Sequence, residues 1–156
     1  MNDEGRDNPG VIAPPPLIFA GALAAGLSVN RLRPTPFLPR SLSRGLGWPL
    51  VVSGLLLGLW GLREMRRAGT NVDPYRPATA IVDSGPFGFT RNPLYIGMTL
   101  VYAGFSARAN ALPAALLLPA VLHVVDRWVV RREERYLENK FGEEYLRYKG
   151  RVKRWI

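Results

Sequence analysis

The sequence predicts an all-helical integral membrane bundle of about four transmembrane helices, two helices plus a C-terminal helical hairpin, with a cytoplasmic C-terminal helix. Charge is nearly absent from two tracts: four arginines are the only charged residues in 8–62, and Arg108 is the only one in 92–125. By contrast, 16 of the 31 residues in 126–156 are charged. The mean hydropathy of zero therefore averages apolar tracts with a polar tail, the profile of a membrane protein.

The composition limits the chemistry of this 156-residue chain, whose length fits one domain. It has no cysteine, which excludes a disulfide scaffold, a thiolate metal site and a cysteine nucleophile. Its single histidine, His123, leaves too few ligands for an ordinary zinc site, and we expect no metal. His123 lies in a hydrophobic run, where a hydrogen bond between helices and a functional role both stay open.

The first two hydrophobic runs, residues 11–29 and 45–62, are close to the ~20 residues that cross a bilayer. We expect both to span it. Gly54 and Gly58 lie four residues apart in the second run, a spacing that lets a neighbouring helix approach closely.

The next two runs, residues 93–107 and 109–125, are shorter and predict a hairpin with its turn at residues 108–110. Such a hairpin need not cross the whole bilayer. The expected organisation is a single domain in five parts: a polar N-terminal tail (1–10), two transmembrane helices (11–62), a cytoplasmic loop (63–92), the hairpin (93–130) and the cytoplasmic C-terminal helix (131–156).

The basic residues orient the bundle. Sixteen fall on the side of both termini and the 63–92 loop, and five fall on the other: Arg31, Arg33, Arg40, Arg44 and Arg108. The positive-inside rule then places both termini in the cytoplasm, although the four arginines of the first loop run against it. The net charge of +9 would suit nucleic acid, yet no basic-aromatic motif occurs, and a surface facing anionic lipid explains the charge as well.

The loop contains the first candidate for chemistry. Ser84-Gly85-Pro86 predicts a tight turn, and Asn92-Pro93 predicts a helix start with Asn92 as the N-cap. Free backbone N–H groups there could bind a carboxylate. The alternative is an ordinary capped helix with interface anchors at Arg91 and Tyr95.

The C-terminal segment contains the second candidate. Glu133 and Glu134 follow the fourth run at a depth where a carboxylate can face a cavity mouth, or can simply pair with Arg131 or Arg135. Beyond them an apolar face at helical spacing favours packing, with interruptions expected at Gly142 and Gly150. That face consists of Leu137, Phe141, Tyr145, Tyr148 and Val152.

An ordered set of motifs runs through residues 69–154. Its members are Thr70-Asn71, Gly85-Pro86-Phe87, Arg91-Asn92-Pro93-Leu94-Tyr95-Ile96-Gly97, Glu133-Glu134, and Phe141-Gly142 through Tyr145, Tyr148, Val152 and Arg154. This set resembles the isoprenylcysteine carboxyl methyltransferase family and, more loosely, membrane phospholipid N-methyltransferases.

The resemblance implies an enzyme that binds S-adenosylmethionine on the cytoplasmic side, releases S-adenosylhomocysteine and admits a lipophilic methyl acceptor from the bilayer. It implies that Glu133 holds the amino end of the cofactor and that Arg91, Glu133 and Glu134 are the catalytic candidates. The cofactor-binding residues that it implies are Thr79, Ala80, Ile81, Val82, Phe87, Asn92, Pro93, Leu94, Tyr95 and Glu133.

Two positions depart from the eukaryotic members of that family. Those members have histidine at the position of Asn92, and asparagine keeps the capacity to form hydrogen bonds. They also have a substrate-binding arginine at the position of Val129, so a prenylcysteine carboxylate is a poor match for the acceptor.

We therefore expect a methyltransferase of the bacterial inner membrane, in contact with membrane lipids, that acts on a carboxylate, thiol or other nucleophile of a lipophilic molecule. Positioning and desolvation suffice for this transfer, since the leaving thioether is neutral. The alternatives are a phospholipid amine N-methyltransferase and a non-enzymatic bundle that binds lipid or a partner through its basic tail.

Overall fold

The computed structural model describes residues 7–73 and 75–156, and all regular structure within them is helical. This confirms the predicted all-helical class. Residues 1–6 of the expected N-terminal tail lie outside the described part. The helices are α1 (Pro15–Leu32), α2 (Arg40–Arg67), α3 (Pro93–Arg108), α4 (Leu112–Val125), α5 (Arg131–Phe141) and α6 (Glu143–Arg151).

Prolines set where two of the helices begin. Pro15 is the first residue of α1 and Pro93 the first of α3, positions at which the missing N–H of proline costs no hydrogen bond. Asn92 is the N-cap of α3, as predicted. Its side chain does not cap the helix, because its amide donates to the carbonyl oxygen of Arg154 at 2.9 Å.

Glycines allow α2 and α3 to pack closely along their length. A Cβ on Gly54 would lie 2.5 Å from the carbonyl oxygen of Gly97, and one on Gly104 would lie 2.7 Å from that of Gly47. Larger residues are therefore excluded from this contact. Gly54 has the close-packing role that the sequence predicted, whereas a Cβ on Gly58 would meet open space.

The hairpin turns at residues 108–110, as predicted, with Asn110 at a φ of +49°. Its second arm continues beyond the expected boundary at residue 130. A π-turn at Asp126–Val130 joins α4 to α5, so one helix of 30 residues runs from Leu112 to Phe141. The break comes at Gly142, whose φ of +51° ends the helix, and Gly150 lies inside α6 without interrupting it.

Two helices are long and apolar enough to cross a membrane: α2 and the continuous helix Leu112–Phe141. The shorter α1 and α3 have 18 and 16 residues, and their crossing stays a prediction. α1 packs against α4 and α3, while α2 packs along α3. In the core between α1 and α3, Phe19 meets Tyr102 edge to face at 6.3 Å.

The two ends of the bundle are built from different segments. Residues 68–92 and 126–156 meet at one end, where the backbone N–H of Arg91 donates to the carbonyl oxygen of Lys153 at 2.9 Å. Residues 33–39 and 109–111 meet at the other end. We call these the loop end and the hairpin end.

Candidate functional site

A cavity of about 890 Å³ lies between α1 and α2, over the face of α3. Its size is within the range of small-molecule sites. Its walls are mostly apolar, with Leu23 from α1, Leu59 and Leu62 from α2, and Met98 and Phe105 from α3 among them. Its length follows the helices, so the cavity can hold an apolar chain.

The charged groups on the cavity wall lie at the loop end. Asp73 and Arg76 come from the loop and pair with each other at 3.6 Å, while Glu133 comes from the first turn of α5. Within the described residues, these three are the charged side chains that line the cavity. One end of an apolar space is thus charged, the arrangement that an amphiphilic ligand needs.

Glu133 has an unusual position among the carboxylates of the protein. The hydroxyl of Tyr95 donates to Glu133 Oε1 at 2.7 Å. Within residues 7–73 and 75–156, no cationic side chain forms an ion pair with Glu133. A carboxylate beside an apolar cavity is costly unless it has a positive partner, so this position suits a cationic ligand.

The neighbouring carboxylate, Glu134, is fully engaged within the protein. Its two oxygens pair with Arg91 Nη1 at 2.9 Å and Arg154 Nη2 at 2.6 Å. The side chains of Arg91 and Glu134 are only 10% and 11% exposed. Neither lines the cavity, and together with Arg154 they form a buried ion-pair cluster that joins the start of α3 to α5 and to the C-terminal tail.

The surroundings of this ion-pair cluster shift two neighbouring groups. The hydrogen bond to Glu134 raises the pKa of the Arg154 guanidinium above its ordinary value. Burial raises the pKa of the Tyr145 phenol, whose oxygen accepts a hydrogen bond from Arg91 Nη1 at 3.4 Å. Both groups therefore keep their ordinary protonation at neutral pH, and the cluster is fixed.

The C-terminal tail braces the start of α3 at the cavity wall. The carbonyl oxygen of Arg154 accepts hydrogen bonds from the Asn92 amide at 2.9 Å and from the Thr90 hydroxyl at 3.1 Å. Asn92 is both a brace and a wall residue. A polar side chain at this position therefore has a structural role as well as access to a ligand.

The predicted site residues divide into three groups. Those that line the cavity are Phe87, Asn92, Pro93, Leu94, Tyr95 and Glu133. Arg91 and Glu134 lie behind the wall in the ion-pair cluster. The segment 79–82 lies away from the wall: the hydroxyl of Thr79 donates to the carbonyl oxygen of Gly69 at 2.8 Å, Ala80 lies between, and Ile81 packs beside buried Tyr145. Val82 is itself buried.

The sequence left two alternatives open: Tyr95 as an anchor at the membrane interface, and the two glutamates as ion-pair partners of the arginines that flank them. Tyr95 is buried rather than a surface anchor. Arg131 pairs with Asp126 at 2.9 Å and not with either glutamate. The apolar face predicted beyond residue 136 is a packing face, centred on Tyr145, Tyr148 and Val152.

The cavity also includes wall residues that the sequence did not single out for the site. They are contributed by α1, by the end of α2, by the loop that follows α2 and by α5, and include Phe19, Met65, Asn71, Arg76, Tyr136 and Leu137. A signal was available for the last two, since residues three and four positions after Glu133 share its helix face. No sequence signal places α1 beside the cavity.

Two residues with an undecided role have clear positions. Val129 is completely buried in the core and does not line the cavity. His123 is exposed on the surface of α4 rather than packed between helices.

Comparison with known proteins gives one family. A family model described as phospholipid methyltransferase matches residues 42–144, which include all of α3 and every predicted wall residue. An uncharacterized protein of Haemophilus influenzae is 35% identical over 63 residues, which are 40% of this chain and the whole of that protein. No solved structure matches the chain.

Proposed function

Because the chain belongs to the phospholipid methyltransferase family, we propose that it uses S-adenosylmethionine to methylate a lipophilic acceptor within the membrane. The observation that carries the proposal is the position of Glu133. It places a carboxylate, which pairs with no cation of residues 7–73 and 75–156, at the charged end of an otherwise apolar cavity.

The residues on the wall fit this cofactor. Its amino group is a cation, which Glu133 would bind by a charge-assisted hydrogen bond. Phe87 and Tyr95 lie on the same wall and present aromatic faces that attract cations. When bound, S-adenosylmethionine supplies a methyl group on a positively charged sulfonium. Arg91 forms an ion pair with Glu134, so we assign it a structural role behind the cavity wall and not the binding of the cofactor carboxylate.

The acceptor would enter from the side. The cavity extends between α1 and α2, and its wall residues Leu55 and Leu59 are 52% and 62% exposed. In a membrane these side chains face lipid. An acceptor with an alkyl chain could therefore lie along Leu23, Leu55 and Leu59, with its nucleophile near Glu133.

We assign catalysis to positioning and water exclusion. Methyl transfer from the sulfonium to an anionic nucleophile cancels charge, and transfer to a neutral nucleophile moves the positive charge to the acceptor. Both reactions are faster in a dry cavity than in water. Glu133 holds the cofactor and takes no proton in this scheme, and the Tyr95 hydroxyl fixes the orientation of its carboxylate.

A phospholipid amine is a second candidate acceptor, favoured by the charges on the wall. Asp73 and Glu133 stand against the single cation Arg76, and Asp73 already pairs with it. With Asp73 paired to Arg76 and Glu133 holding the cofactor, the described wall offers no unpaired cation to a carboxylate acceptor, whereas an amine needs none. The amine would react as its free base, after its ammonium proton is released to solvent at the loop end. Val129 supports the same choice, because it leaves no arginine where the resemblance to the prenylcysteine enzymes would require one.

The test is a titration of S-adenosylhomocysteine into detergent-purified protein. We expect saturable binding that Glu133→Gln weakens about tenfold or more, the value of one charge-assisted hydrogen bond. Glu138→Gln on the same helix, which removes an exposed carboxylate, should leave the affinity unchanged. Folded wild-type protein that does not bind would contradict the proposal and favour a lipid-binding bundle.

The acceptor is tested separately, with a labelled methyl donor. Parallel reactions would contain phosphatidylethanolamine or a prenylated cysteine analogue in the same micelles. Label in the phospholipid alone would identify the amine acceptor, and label in the analogue alone would identify the carboxylate.

A further inference from the structure

We propose that a pocket at the hairpin end binds the phosphate group of an anionic phospholipid. The pocket has a volume of about 520 Å³ and is lined by Arg40, Arg44 and Arg108 together with Ser43 and Asn110. We call it the arginine pocket. It lies at the opposite end of the bundle from Glu133 and does not rest on the proposed methyl transfer.

The helices hold the three arginines together. Arg40 and Arg44 are four residues apart at the start of α2 and so share one face of the helix. Arg108 is the last residue of α3, and a Cβ on Gly47 would lie 2.7 Å from its Cβ. The close packing of α2 on α3 therefore brings three guanidinium groups to a single pocket.

Protein groups leave these arginines available. The sequence has no Asp or Glu in 8–63 or in 92–125. Among the described residues, none of the three arginines forms an ion pair, whereas Arg67 at the other end of α2 pairs with Glu64 at 2.9 Å. The Ser43 hydroxyl, which also lines the pocket, donates to the carbonyl oxygen of Ala107 at 2.7 Å and not to an external group.

The frame of the pocket is fixed without using the arginines. Asn110 accepts hydrogen bonds from the backbone N–H groups of Phe37 and Leu38 at 2.9 and 2.8 Å, and its amide donates to the carbonyl oxygen of Leu38 at 2.7 Å. The α1–α2 connection is thereby tied to the hairpin turn. The guanidinium groups take no part in these hydrogen bonds and can therefore bind an external anion.

The surroundings indicate a lipid as the source of that anion. Leu42, Leu46 and Trp48 follow in the next turns of α2 and are 48%, 47% and 54% exposed, and Trp48 meets Phe105 edge to face at 6.3 Å. Tryptophan beside arginine is typical of the level of lipid headgroups, where a phosphate can reach the arginines while its acyl chains cover the leucines. A lipid with net negative charge fits best, since the ammonium of a zwitterionic headgroup would meet the arginines as well.

The test is thermal unfolding in an uncharged detergent with increasing phosphatidylglycerol. We expect a saturable rise in melting temperature for the full chain. The double variant Arg44→Gln/Arg108→Gln should weaken the apparent affinity roughly thirtyfold, from about fivefold for each arginine near an anionic lipid surface. The matched control is Arg31→Gln/Arg33→Gln, which removes the same charge at the same end outside the pocket and should keep the response.

Three results would overturn the proposal. Equal losses in the two double variants would mean diffuse attraction to the charged surface. Equal responses to phosphatidylcholine, or to inorganic phosphate, would exclude an anionic lipid as the specific ligand.

A second variant, Arg44→Lys/Arg108→Lys, keeps the charge and removes the planar guanidinium groups. We expect its response to phosphatidylglycerol to lie between those of the wild type and the glutamine variant.

Discussion

The two ends of the bundle are both rich in arginine but use it in opposite ways. At the loop end, Arg91 and Arg154 share Glu134 in a buried ion-pair cluster. At the hairpin end, Arg40, Arg44 and Arg108 line a pocket whose frame is made by an asparagine and a serine. The buried cluster thus holds segments of the protein together, whereas the three arginines of the pocket, which form no ion pair within the described residues, can bind an anion from outside.

The difference follows from where carboxylates occur. All ion pairs within the described residues lie at the loop end, where the sequence supplies both signs of charge. On the cavity wall at the same end, Glu133 accepts a hydrogen bond from Tyr95 and forms no ion pair within the described residues. The loop end therefore has a carboxylate on its cavity wall that suits a cationic ligand, and the hairpin end has a pocket of arginines that suits an anion.

Breaking the ion-pair cluster should have the largest effect on stability. Glu134→Gln leaves Arg91 buried without its partner and should lower the free energy of unfolding by about 3 kcal/mol. Equilibrium unfolding in mixed micelles measures the change. Glu138→Gln, which removes an exposed pair with Lys149, should cost less than about 1 kcal/mol, and equal losses in the two variants would refute a special role for the cluster.

At the hairpin end the corresponding weak point is Asn110. Asn110→Ala removes its hydrogen bonds to the α1–α2 connection and places alanine at a positive φ, which should cost about 2 kcal/mol. Asn110→Gly tolerates that φ and isolates the hydrogen bonds. Unchanged unfolding of the alanine variant, measured in the same micelles, would show that the frame is held by other contacts.

Ligand affinity distinguishes Tyr95, which lines the cavity, from Tyr145, which lies outside it. Tyr95→Phe removes the hydrogen bond to Glu133 and should weaken S-adenosylhomocysteine binding about fivefold, the value of about 1 kcal/mol. Tyr145→Phe removes a contact to Arg91 outside the cavity and should leave binding unchanged. Calorimetric titration measures the affinity of both variants. A larger loss of affinity for Tyr145→Phe than for Tyr95→Phe would contradict a binding site at Tyr95 and Glu133.

The smallest effect is expected from a single arginine of the arginine pocket. In detergent without anionic lipid, Arg44→Gln should change the free energy of unfolding by less than about 0.5 kcal/mol, because the side chain forms no ion pair with any residue that the structure describes. Unfolding curves without lipid test this. A loss as large as that of Glu134→Gln would mean that Arg44 stabilises the fold itself.

The sequence was informative about the elements and about the cavity wall next to α3. Its apolar runs, the helix start at Asn92-Pro93, the hairpin turn and the break at Gly142 all occur as predicted. Each depends on local backbone chemistry, such as the missing N–H of proline or the freedom of glycine at positive φ. The segment 79–82 was implied by resemblance alone. It does not line the cavity although Ala78 before it does, because no local pattern specifies the path of this loop.

Tertiary structure decided which of two adjacent glutamates forms no ion pair within the described part of the chain. Both follow the same apolar run and have arginines nearby in the chain, so the local pattern is the same for Glu133 and Glu134, and the resemblance alone singled out Glu133 for the cofactor. Successive residues on a helix point about 100° apart, so one glutamate faces the cavity while the other faces Arg91 and the returning C-terminal tail with Arg154. The sequence determined that charge collects at the end of the helices, and long-range packing determined which charge is satisfied, because ion-pair partners 20 and 43 residues away are set by the path of the chain in space.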